Sequence, residues 1–187
     1  NKGIECLNTD INQTTVIEGS VYAGLLDKYK TPGTAANDGS DQVSVEIQSG
    51  TKLSVTSGKL FVCQGKINLK ENSSFSSGST MSVWAQGIDL SSSTVELRGK
   101  TYLSDDITVN TGKNSKVTIS GEYYGFGSPE SAKASKNYSN GDDLPTTESV
   151  YSYEDRSDSS LSSAITVNGK NTTIDVSGVQ KIMLAGK

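Results

Sequence analysis

The sequence predicts an all-β fold, namely a right-handed, three-sided parallel β-solenoid of about 21–22 residues per coil with a long loop insertion. Three observations predict it. Short pairs of apolar residues recur with the period of a β-strand, glycines recur at the interval of three such strands, and one segment of 15 residues is repeated near the carboxyl end. The chain has 187 residues, the length of one domain, so we predict a single solenoid domain over residues 1–187.

Apolar residues stand two positions apart, the spacing that places both side chains on one face of a strand. The pairs are Val43/Val45/Ile47, Leu53/Val55, Leu60/Val62, Ile67/Leu69, Met81/Val83, Ile88/Leu90, Val95/Leu97, Ile107/Val109 and Val117/Ile119. From Leu53 to Val95 the pairs begin every seven residues, with one position skipped near Phe75. A coiled coil shares this interval, but five glycines would then lie inside helices, each at a cost of about 1 kcal/mol relative to alanine. The pattern therefore indicates short strands.

The glycines show a longer period. Gly58, Gly78, Gly99 and Gly121 follow each other after 20, 21 and 22 residues. Three units of strand and turn, each of about seven residues, make one coil of that length. Glycine, asparagine and serine between the strands suit corners at which the chain turns tightly.

A repeated segment marks the last coils. Residues 107–121 reappear as residues 165–178 with one residue deleted at the turn. The offset of 58 residues between Ile107 and Ile165 exceeds one coil by about 36 residues. The excess corresponds to residues 126–163, whose polar composition buries too little surface to offset the entropy of ordering. We predict that this stretch is a loop insertion between coils.

The amino-terminal residues 1–42 are less regular and are predicted to form a capping region. Residues 24–30 are compatible with a short helix near residue 26, ended by Thr31-Pro32-Gly33, and residues 34–41 with a polar loop. Such a cap would cover the exposed strand backbone at an open solenoid end.

Composition excludes several classes of function. The net charge is −4 and no Lys/Arg cluster occurs, so the phosphate contacts that nucleic-acid binding requires are missing and we predict no nucleic-acid partner. The chain contains no His, which removes Ser-His-Asp triads and His-ligated zinc. No apolar run approaches the roughly 18 residues of a membrane span. Cys6 and Cys63 either form a disulfide or are two small buried hydrophobes, and the sequence leaves both possibilities open.

Acidic residues are the plausible catalytic or metal-binding material, and they cluster at Asp105-Asp106, Asp142-Asp143, Glu154-Asp155 and Asp158. Consecutive residues of a strand point to opposite faces, and none of these clusters has the spacing of a calcium loop. We therefore predict solvated turn residues, with no catalytic residue, no cofactor and no metal site.

A motif of an apolar residue, a glycine and a tyrosine occurs three times, as Ile17-x-Gly19-x-x-Tyr22, Leu97-x-Gly99-x-x-Tyr102 and Ile119-x-Gly121-x-x-Tyr124. Tyrosine is amphipathic, and this favours tyrosines that stack from coil to coil in a half-exposed ladder. The alternative is an aromatic strip that binds sugars. The possible ligand-contact aromatics are Tyr22, Trp84, Tyr102, Tyr123 and Tyr124.

The last part of the chain resembles the ectodomain of PilX-type pilus-assembly proteins of Gram-positive bacteria. That family carries a Ser-Ser-Ile-x-Ile-Asn-Gly-Lys segment followed by a Ser-Gly-Leu-x-x-Leu-x-Leu-Ala-Gly signature. The present chain has Glu122-Tyr-Tyr-Gly125, a serine-rich stretch, and then Ser162-Ser-Ala-Ile-Thr-Val-Asn-Gly-Lys170 and Ser177-Gly-Val-Gln-Lys-Ile-Met-Leu-Ala-Gly186. The resemblance covers about 60 residues.

The resemblance implies an exported, minor-pilin-like subunit that is anchored by an amino-terminal hydrophobic helix and displays a β-solenoid outside the cell. The present sequence shows neither that helix nor the pilin cleavage motif, so we expect it to be a central piece from which the anchor is absent. The leading hypothesis is a non-enzymatic extracellular structural or interaction module, a pilus-associated surface subunit. Its coils would act as a spacer and its insertion as a variable contact surface for other pilus or cell-surface subunits.

The alternative is a carbohydrate-binding adhesin or a β-helix enzyme that acts on polysaccharides. It would use the five aromatic residues for stacking, with Asp105 or Asp106 as hydrogen-bonding groups. Enzymes with this fold usually group several Asp, Arg or Lys side chains on one face, and the sequence shows only Arg98, Arg156 and scattered lysines. We therefore predict that the protein is not an enzyme.

Overall fold

The computed structural model describes residues 4–6, 14–19, 21–23, 44–56, 60–63, 65–103, 106–110, 113–125, 132–134, 151–153 and 165–184. These residues form twenty strands, β1 to β20, and no helix. Eighteen of the strands build three parallel sheets of six strands each.

Sheet A contains β1 (Ile4–Cys6), β4 (Val45–Ile47), β7 (Ile67–Leu69), β10 (Ile88–Leu90), β13 (Ile107–Val109) and β18 (Ile165–Val167). Sheet B contains β2 (Thr14–Ile17), β5 (Lys52–Val55), β8 (Ser74–Ser77), β11 (Thr94–Leu97), β14 (Lys116–Ile119) and β19 (Thr173–Asp175). Sheet C contains β3 (Val21–Ala23), β6 (Leu60–Cys63), β9 (Ser82–Ala85), β12 (Lys100–Leu103), β15 (Glu122–Gly125) and β20 (Lys181–Leu184).

Successive strands belong to sheets A, B and C in turn, and each strand pairs with its counterpart one coil away. This is a three-sided parallel β-solenoid of six stacked coils, as the sequence predicts. Paired core residues of sheet C are 22 positions apart from Phe61 to Val83, 18 from Val83 to Thr101 and 22 from Thr101 to Tyr123. Coil length therefore varies around the predicted value.

The core is the narrow interior between the three sheets. Along β7, β11 and β13, buried residues alternate with half-buried ones, whereas all four residues of β9 are buried. Phe61 and Phe75 contact each other in this interior, with ring centroids 5.2 Å apart. The predicted pairs Ile88/Leu90, Val95/Leu97 and Val117/Ile119 are all buried, since one face of every strand points inward.

Two details of the strand pattern differ from the predictions. The position that the seven-residue spacing skips is a strand, β8, in which Phe75 and Ser77 are buried. In β6 the buried residues are Phe61 and Cys63, one position later than the predicted pair Leu60/Val62. Every residue from 60 to 63 is apolar, so the alternation that distinguishes the two faces is absent from the sequence there.

The predicted corner glycines Gly78, Gly99 and Gly121 lie between sheets B and C. A Cβ atom at Gly121 would collide with the backbone oxygens of Gly99 and Arg98. Neighbouring coils approach so closely at this corner that only glycine fits.

The region 1–42, predicted to be an irregular cap, contributes a complete first coil through β1, β2 and β3. Backbone pairing of these strands with β4, β5 and β6 extends all three sheets. The helix predicted near residue 26 and the loop at residues 34–41 lie outside the described residues.

The repeated segment pairs with its copy. Ile107 is aligned with Ile165 and Val117 with Ile174, so the offset falls from 58 to 57 across the turn, where the deletion was predicted. Within the predicted insertion 126–163, β16 (Ala132–Ala134) and β17 (Tyr151–Tyr153) form a separate antiparallel pair. The two strands belong to none of the three sheets.

Within the described part of the chain, no helix is long and apolar enough to cross a bilayer.

Candidate functional site

An aromatic column runs along sheet C. Trp84, Tyr102 and Tyr124 occupy the same position of β9, β12 and β15 because the strands pair in register. The ring centroids are 4.1 Å apart between Trp84 and Tyr102 and 4.8 Å apart between Tyr102 and Tyr124, with interplanar angles of 11° and 6°. These distances match the spacing of neighbouring strands, about 4.8 Å, so the register itself sets the stacking. The predicted stacking of Tyr102 on Tyr124 is confirmed.

The faces of these rings are directed along the solenoid axis, toward the neighbouring coils. Trp84 is 1 % exposed, and Tyr102 and Tyr124 are each 9 % exposed. The Nζ of Lys181 lies 5.4 Å from the centroid of Tyr124, on the next coil. A sugar ring that stacks on an aromatic ring needs an open face. The geometry of this column therefore favours a structural role.

The other two candidate aromatics occupy different places. Tyr123 alternates with Tyr124 on β15 and is fully buried in the core. Tyr22 lies on β3, where its backbone is aligned with Val62, and its side chain is outside the described residues. Sheet C thus carries all five candidates, and the side chains of Tyr123 and Tyr124 lie on its two opposite faces.

Acidic side chains of the described region take part in pairs on the outer face of sheet A. Asp89 forms an ion pair with Lys66 at 3.3 Å, and Glu46 accepts a hydrogen bond from Asn68. Asp106 accepts a hydrogen bond of 2.9 Å from the hydroxyl of Thr166 on the last coil. Asp105 and the acidic residues of the insertion lie outside the described residues. Among the residues described, no group of three or more His, Cys, Asp or Glu side chains could hold a metal ion.

Cys63 is a buried thiol on β6. Burial raises its pKa to about 12 because the thiolate would lose its hydration. The sulfur lies 3.6 Å from the carbonyl oxygen of Lys66. Of the two alternatives for this residue, the structure adopts the small buried hydrophobe, and the side chain of Cys6 lies outside the described residues. A thiol with so high a pKa is not a nucleophile at neutral pH.

The corner between sheets A and B repeats one backbone conformation that the sequence analysis missed. A residue with positive φ recurs there in five coils, with values of 75° at Gly50, 57° at Asn72, 48° at Ser92, 61° at Asn114 and 55° at Asn171. Glycine and asparagine tolerate this left-handed conformation best. The signal was present in the sequence as Gly, Asn or Ser followed by Ser or Thr once per coil.

The residues that follow these positions point inward and form a column of buried hydroxyls at Thr51, Ser73, Ser93 and Ser115. The hydroxyls hydrogen-bond to backbone within and between coils. Ser73 donates to the carbonyl of Lys70 at 2.6 Å, and the amide of Ser93 donates to the Ser115 hydroxyl at 3.3 Å. The hydrogen bond between Ser93 and Ser115 joins the turns of two neighbouring coils.

A shallow polar groove with a volume of about 440 Å³ lies along this corner. Its lining consists of polar residues, Lys52 together with residues 71–74, 92–94 and 113–114. Lysines stand at its two ends, and hydroxyl groups, amide groups and the carboxylate of Glu71 lie between them. This lining can exchange hydrogen bonds with a polar ligand and can pair with an anionic group.

The fold and these columns define the class of protein. It is a three-sided parallel β-solenoid in which equivalent residues of successive coils form columns of aromatic rings, buried hydroxyl groups and left-handed turn residues. Comparison of the chain with protein family models, with curated proteins and with solved structures found no match. The resemblance to PilX-type proteins stays a prediction.

Proposed function

We propose that the chain is a non-enzymatic structural and interaction module in which the solenoid is a scaffold and the segment 126–164 is the contact surface. The observation that supports this proposal is the pairing of β13 with β18. Ile107 and Ile165 are aligned as neighbours in sheet A although 57 residues separate them in the chain. The solenoid continues on the far side of the segment as if the segment were not there.

The segment leaves at Gly125, the last residue of β15, and returns at Ile165, the first residue of β18. The connections from β6 to β7, from β9 to β10 and from β12 to β13 also lead from sheet C to sheet A, and each has three residues or fewer. Because no strand of the three sheets comes from the segment, we expect changes in its sequence to have little effect on the stability of the scaffold. Contact residues are commonly found on loops that a folded scaffold positions.

The stacked columns support the role of the coils as a spacer. Every strand of coils two to five pairs on both edges, and the aromatic, hydroxyl and glycine columns join the coils at the outer face and the corners. A stack of six parallel strands is about 24 Å long between its outer strands. The first and last coils are therefore about as far apart as the two sides of a small domain.

We extend the proposal to an extracellular, pilus-associated surface subunit on the basis of the resemblance of residues 122–186. Its partners would be other pilus or cell-surface subunits. The proposal requires neither a cofactor nor a metal.

Co-sedimentation with surface fibres from cells of the source organism tests this function. The full chain is compared with a variant in which residues 129–161 are replaced by a short Gly/Ser linker. We expect the full chain to sediment with the fibres and the variant to stay in the supernatant while its circular dichroism still shows the β-solenoid. Equal sedimentation of both proteins would place the contact surface elsewhere.

Glycan binding is a second candidate, and the polar groove between sheets A and B favours it. Its hydroxyl, amide and lysine groups match the hydrogen-bonding and acidic groups of an anionic polysaccharide. A glycan array with the Lys52→Ala/Lys113→Ala variant, with Tyr102→Ala/Tyr124→Ala as the comparison, decides where a glycan would bind. Loss of binding in the lysine variant alone supports the groove, and loss in the tyrosine variant alone supports the aromatic column. Shortening of the polysaccharide during incubation would contradict a non-enzymatic role.

A further inference from the structure

Four exposed lysines lie together at the corner between sheets A and B. They are Lys52, Lys113, Lys116 and Lys170. Among the residues that the structure describes, none of these four forms an ion pair with a carboxylate. Asp175, on the strand beside Lys116, accepts hydrogen bonds from Ser177 instead. The corner therefore carries a local positive charge on a chain whose net charge is −4.

Two of these lysines are held side by side by the backbone. Lys113 and Lys170 form an isolated parallel bridge between adjacent coils, so their backbones are about 4.8 Å apart. Like charges on neighbouring positions repel each other. Lysines elsewhere on the solenoid have a carboxylate or a ring as partner, in the pairs Lys66 with Asp89, Lys70 with Glu46 and Lys181 with Tyr124. An anionic ligand at the corner would offset the repulsion that the protein leaves uncompensated.

A row of outward-facing side chains on sheet B joins two of the lysines. The strand register aligns Lys52 with Ser74, Ser74 with Thr94, and Thr94 with Lys116. All four side chains point outward, because the next residue of each strand is buried in the core. The row thus has a lysine at each end and two hydroxyl groups between them, over about 14 Å along the solenoid axis.

The two hydroxyl groups of this row are available to a ligand. Within the described part of the chain, the side chains of Ser74 and Thr94 have no hydrogen-bond partner. In the other outward row of the same sheet, Ser54 and Ser76 are hydrogen-bonded to each other at 3.0 Å. Ser74 and Thr94 also line the polar groove of about 440 Å³. The groove therefore presents cations and hydroxyl groups in one line.

We infer that the groove binds a linear acidic glycan that lies parallel to the solenoid axis, with anionic groups at Lys52 and Lys116 and sugar hydroxyls along Ser74 and Thr94. An ammonium group pairs with an anionic oxygen, and a hydroxyl side chain both donates to and accepts from sugar hydroxyls. This inference deepens the glycan-binding candidate of the preceding subsection and rests on it. It adds the direction of the ligand, the length that it must have and the row that it contacts.

Glu71 determines on which side of the groove the acidic chain lies. Its carboxylate lines the groove at the corner, next to the left-handed turn residue Asn72. An anionic ligand is repelled there, so it is expected to lie toward sheet B. Glu71→Gln should therefore tighten binding about threefold, the effect of removing one exposed like charge. An unchanged or weakened affinity would contradict this position of the ligand.

Isothermal titration calorimetry of the 187-residue chain with oligosaccharides of increasing length tests the axial arrangement. The probes are hyaluronan, which carries carboxylates, and chondroitin sulfate, which also carries sulfates. We expect the affinity to rise with length up to oligosaccharides that bridge Lys52 and Lys116, about 14 Å apart along the axis. Methyl esterification of hyaluronan removes its charge and is expected to weaken binding about tenfold. An affinity that did not depend on length would overturn the arrangement.

Single substitutions identify the two ends of the row. Lys52→Gln and Lys116→Gln are each expected to reduce the affinity for a long oligosaccharide to that for a short one. The matched control is Lys70→Gln, at an exposed lysine that pairs with Glu46 on sheet A, and it is expected to bind like the parent. Circular dichroism verifies that each variant keeps the β-solenoid. Equal losses in all three variants would show that only net charge matters, which would overturn the inference.

The outcomes separate this inference from the candidate function on which it rests. Binding that is independent of length but is lost in Lys52→Ala/Lys113→Ala would retain glycan binding at the groove and overturn the axial arrangement alone. Absence of binding to both acidic glycans would overturn the two together. Single-stranded DNA of equal charge serves as a competitor, because it offers phosphates without the sugar hydroxyls of a glycan. Competition as strong as that of hyaluronan itself would show that the hydroxyl row is not used and would overturn the inference.

Discussion

Gly121 shows how closely neighbouring coils approach at the corner between sheets B and C. The amide of Glu122 donates to the carbonyl of Gly99 at 2.9 Å, and the space for a Cβ atom at Gly121 is filled by backbone oxygens of the preceding coil. Backbone cannot yield as a flexible side chain can. The regular spacing of glycines in the sequence therefore reflects the close approach of neighbouring coils at this corner.

Gly121→Ala is expected to lower the free energy of unfolding by about 2 kcal/mol or more, because the coils must separate to admit the methyl group. The matched control is Gly178→Ala, at the same corner of the last coil. A Cβ atom there would lie 3.2 Å from the Cβ of Ser120, a side-chain contact that can relax. Urea denaturation of both variants measures the difference, and equal losses would contradict the explanation.

Asn114 represents the left-handed turn between sheets A and B. Its φ of 61° is costly for most residues, and asparagine and glycine tolerate it best. Asn114→Ala is expected to cost about 1 kcal/mol, whereas Asn114→Gly is expected to be close to neutral. Thermal unfolding of the pair separates backbone strain from loss of the side chain. If glycine were as destabilising as alanine, the amide group and not the conformation would be responsible.

Cys63 gives the stability a dependence on alkaline pH. Its thiol has a pKa of about 12 in the folded state against an ordinary value of 9.0, so the folded state keeps a proton that the unfolded state loses above pH 9. Stability from this group is complete below pH 9 and declines as the pH rises toward 12. Relative to Cys63→Ala, the parent is expected to lose up to about 1.4 kcal/mol per pH unit in that range. Denaturation curves from pH 8 to 11 measure the difference, and parallel curves would refute it.

At the scale of the strands, register determines which side chains meet. Pairing of β9, β12 and β15 aligns Trp84 with Tyr102 and Tyr102 with Tyr124. This alignment brings the three rings into contact. The same mechanism aligns the hydroxyls of Ser54 and Ser76 at 3.0 Å on sheet B. A parallel solenoid thus converts a sequence period into a spatial column.

Tyr102→Ala removes the middle ring of the aromatic column and is expected to lower the free energy of unfolding by about 3 kcal/mol, since both neighbouring rings lose a contact. Tyr102→Phe keeps the ring and is expected to change stability by less than about 1 kcal/mol. The fluorescence of Trp84 supplies a local measurement, with a red shift in the alanine variant alone. Unchanged fluorescence in Tyr102→Ala would mean that the stacking does not shield Trp84.

At the scale of the whole molecule, the six coils and the segment 126–164 are separable in the sheet topology. The antiparallel pair β16–β17 shares no sheet with the solenoid, and β18, β19 and β20 pair with the coil that precedes the segment. The solenoid should therefore fold without most of the segment.

Replacement of residues 129–161 by a short Gly/Ser linker is expected to change the midpoint of thermal unfolding by no more than about 4 °C, because closure entropy depends only weakly on loop length. A Gly/Ser segment of the original length is the matched control, which separates loop length from contacts. A midpoint lowered by tens of degrees in both variants would show that the segment contributes to the core.

The sequence by itself determined the fold class, the corner glycines and the insertion, because strand period and turn composition are local properties of a chain. It also predicted that Tyr102 would stack on Tyr124. The six alternating positions from Val95 to Ile119 were assigned correctly, since polar residues between them mark the outer face. In β6 that mark is missing, and the structure places Phe61 and Cys63 in the core.

Only the tertiary structure decided how far each coil extends and which residues adopt the left-handed turn. These properties depend on contacts between residues about 20 or more positions apart. Val167 and Val109 occupy equivalent positions of the repeated segment, yet one is exposed and the other buried. The difference arises because β13 has a sheet neighbour on both sides, whereas β18 has one on a single side among the described residues.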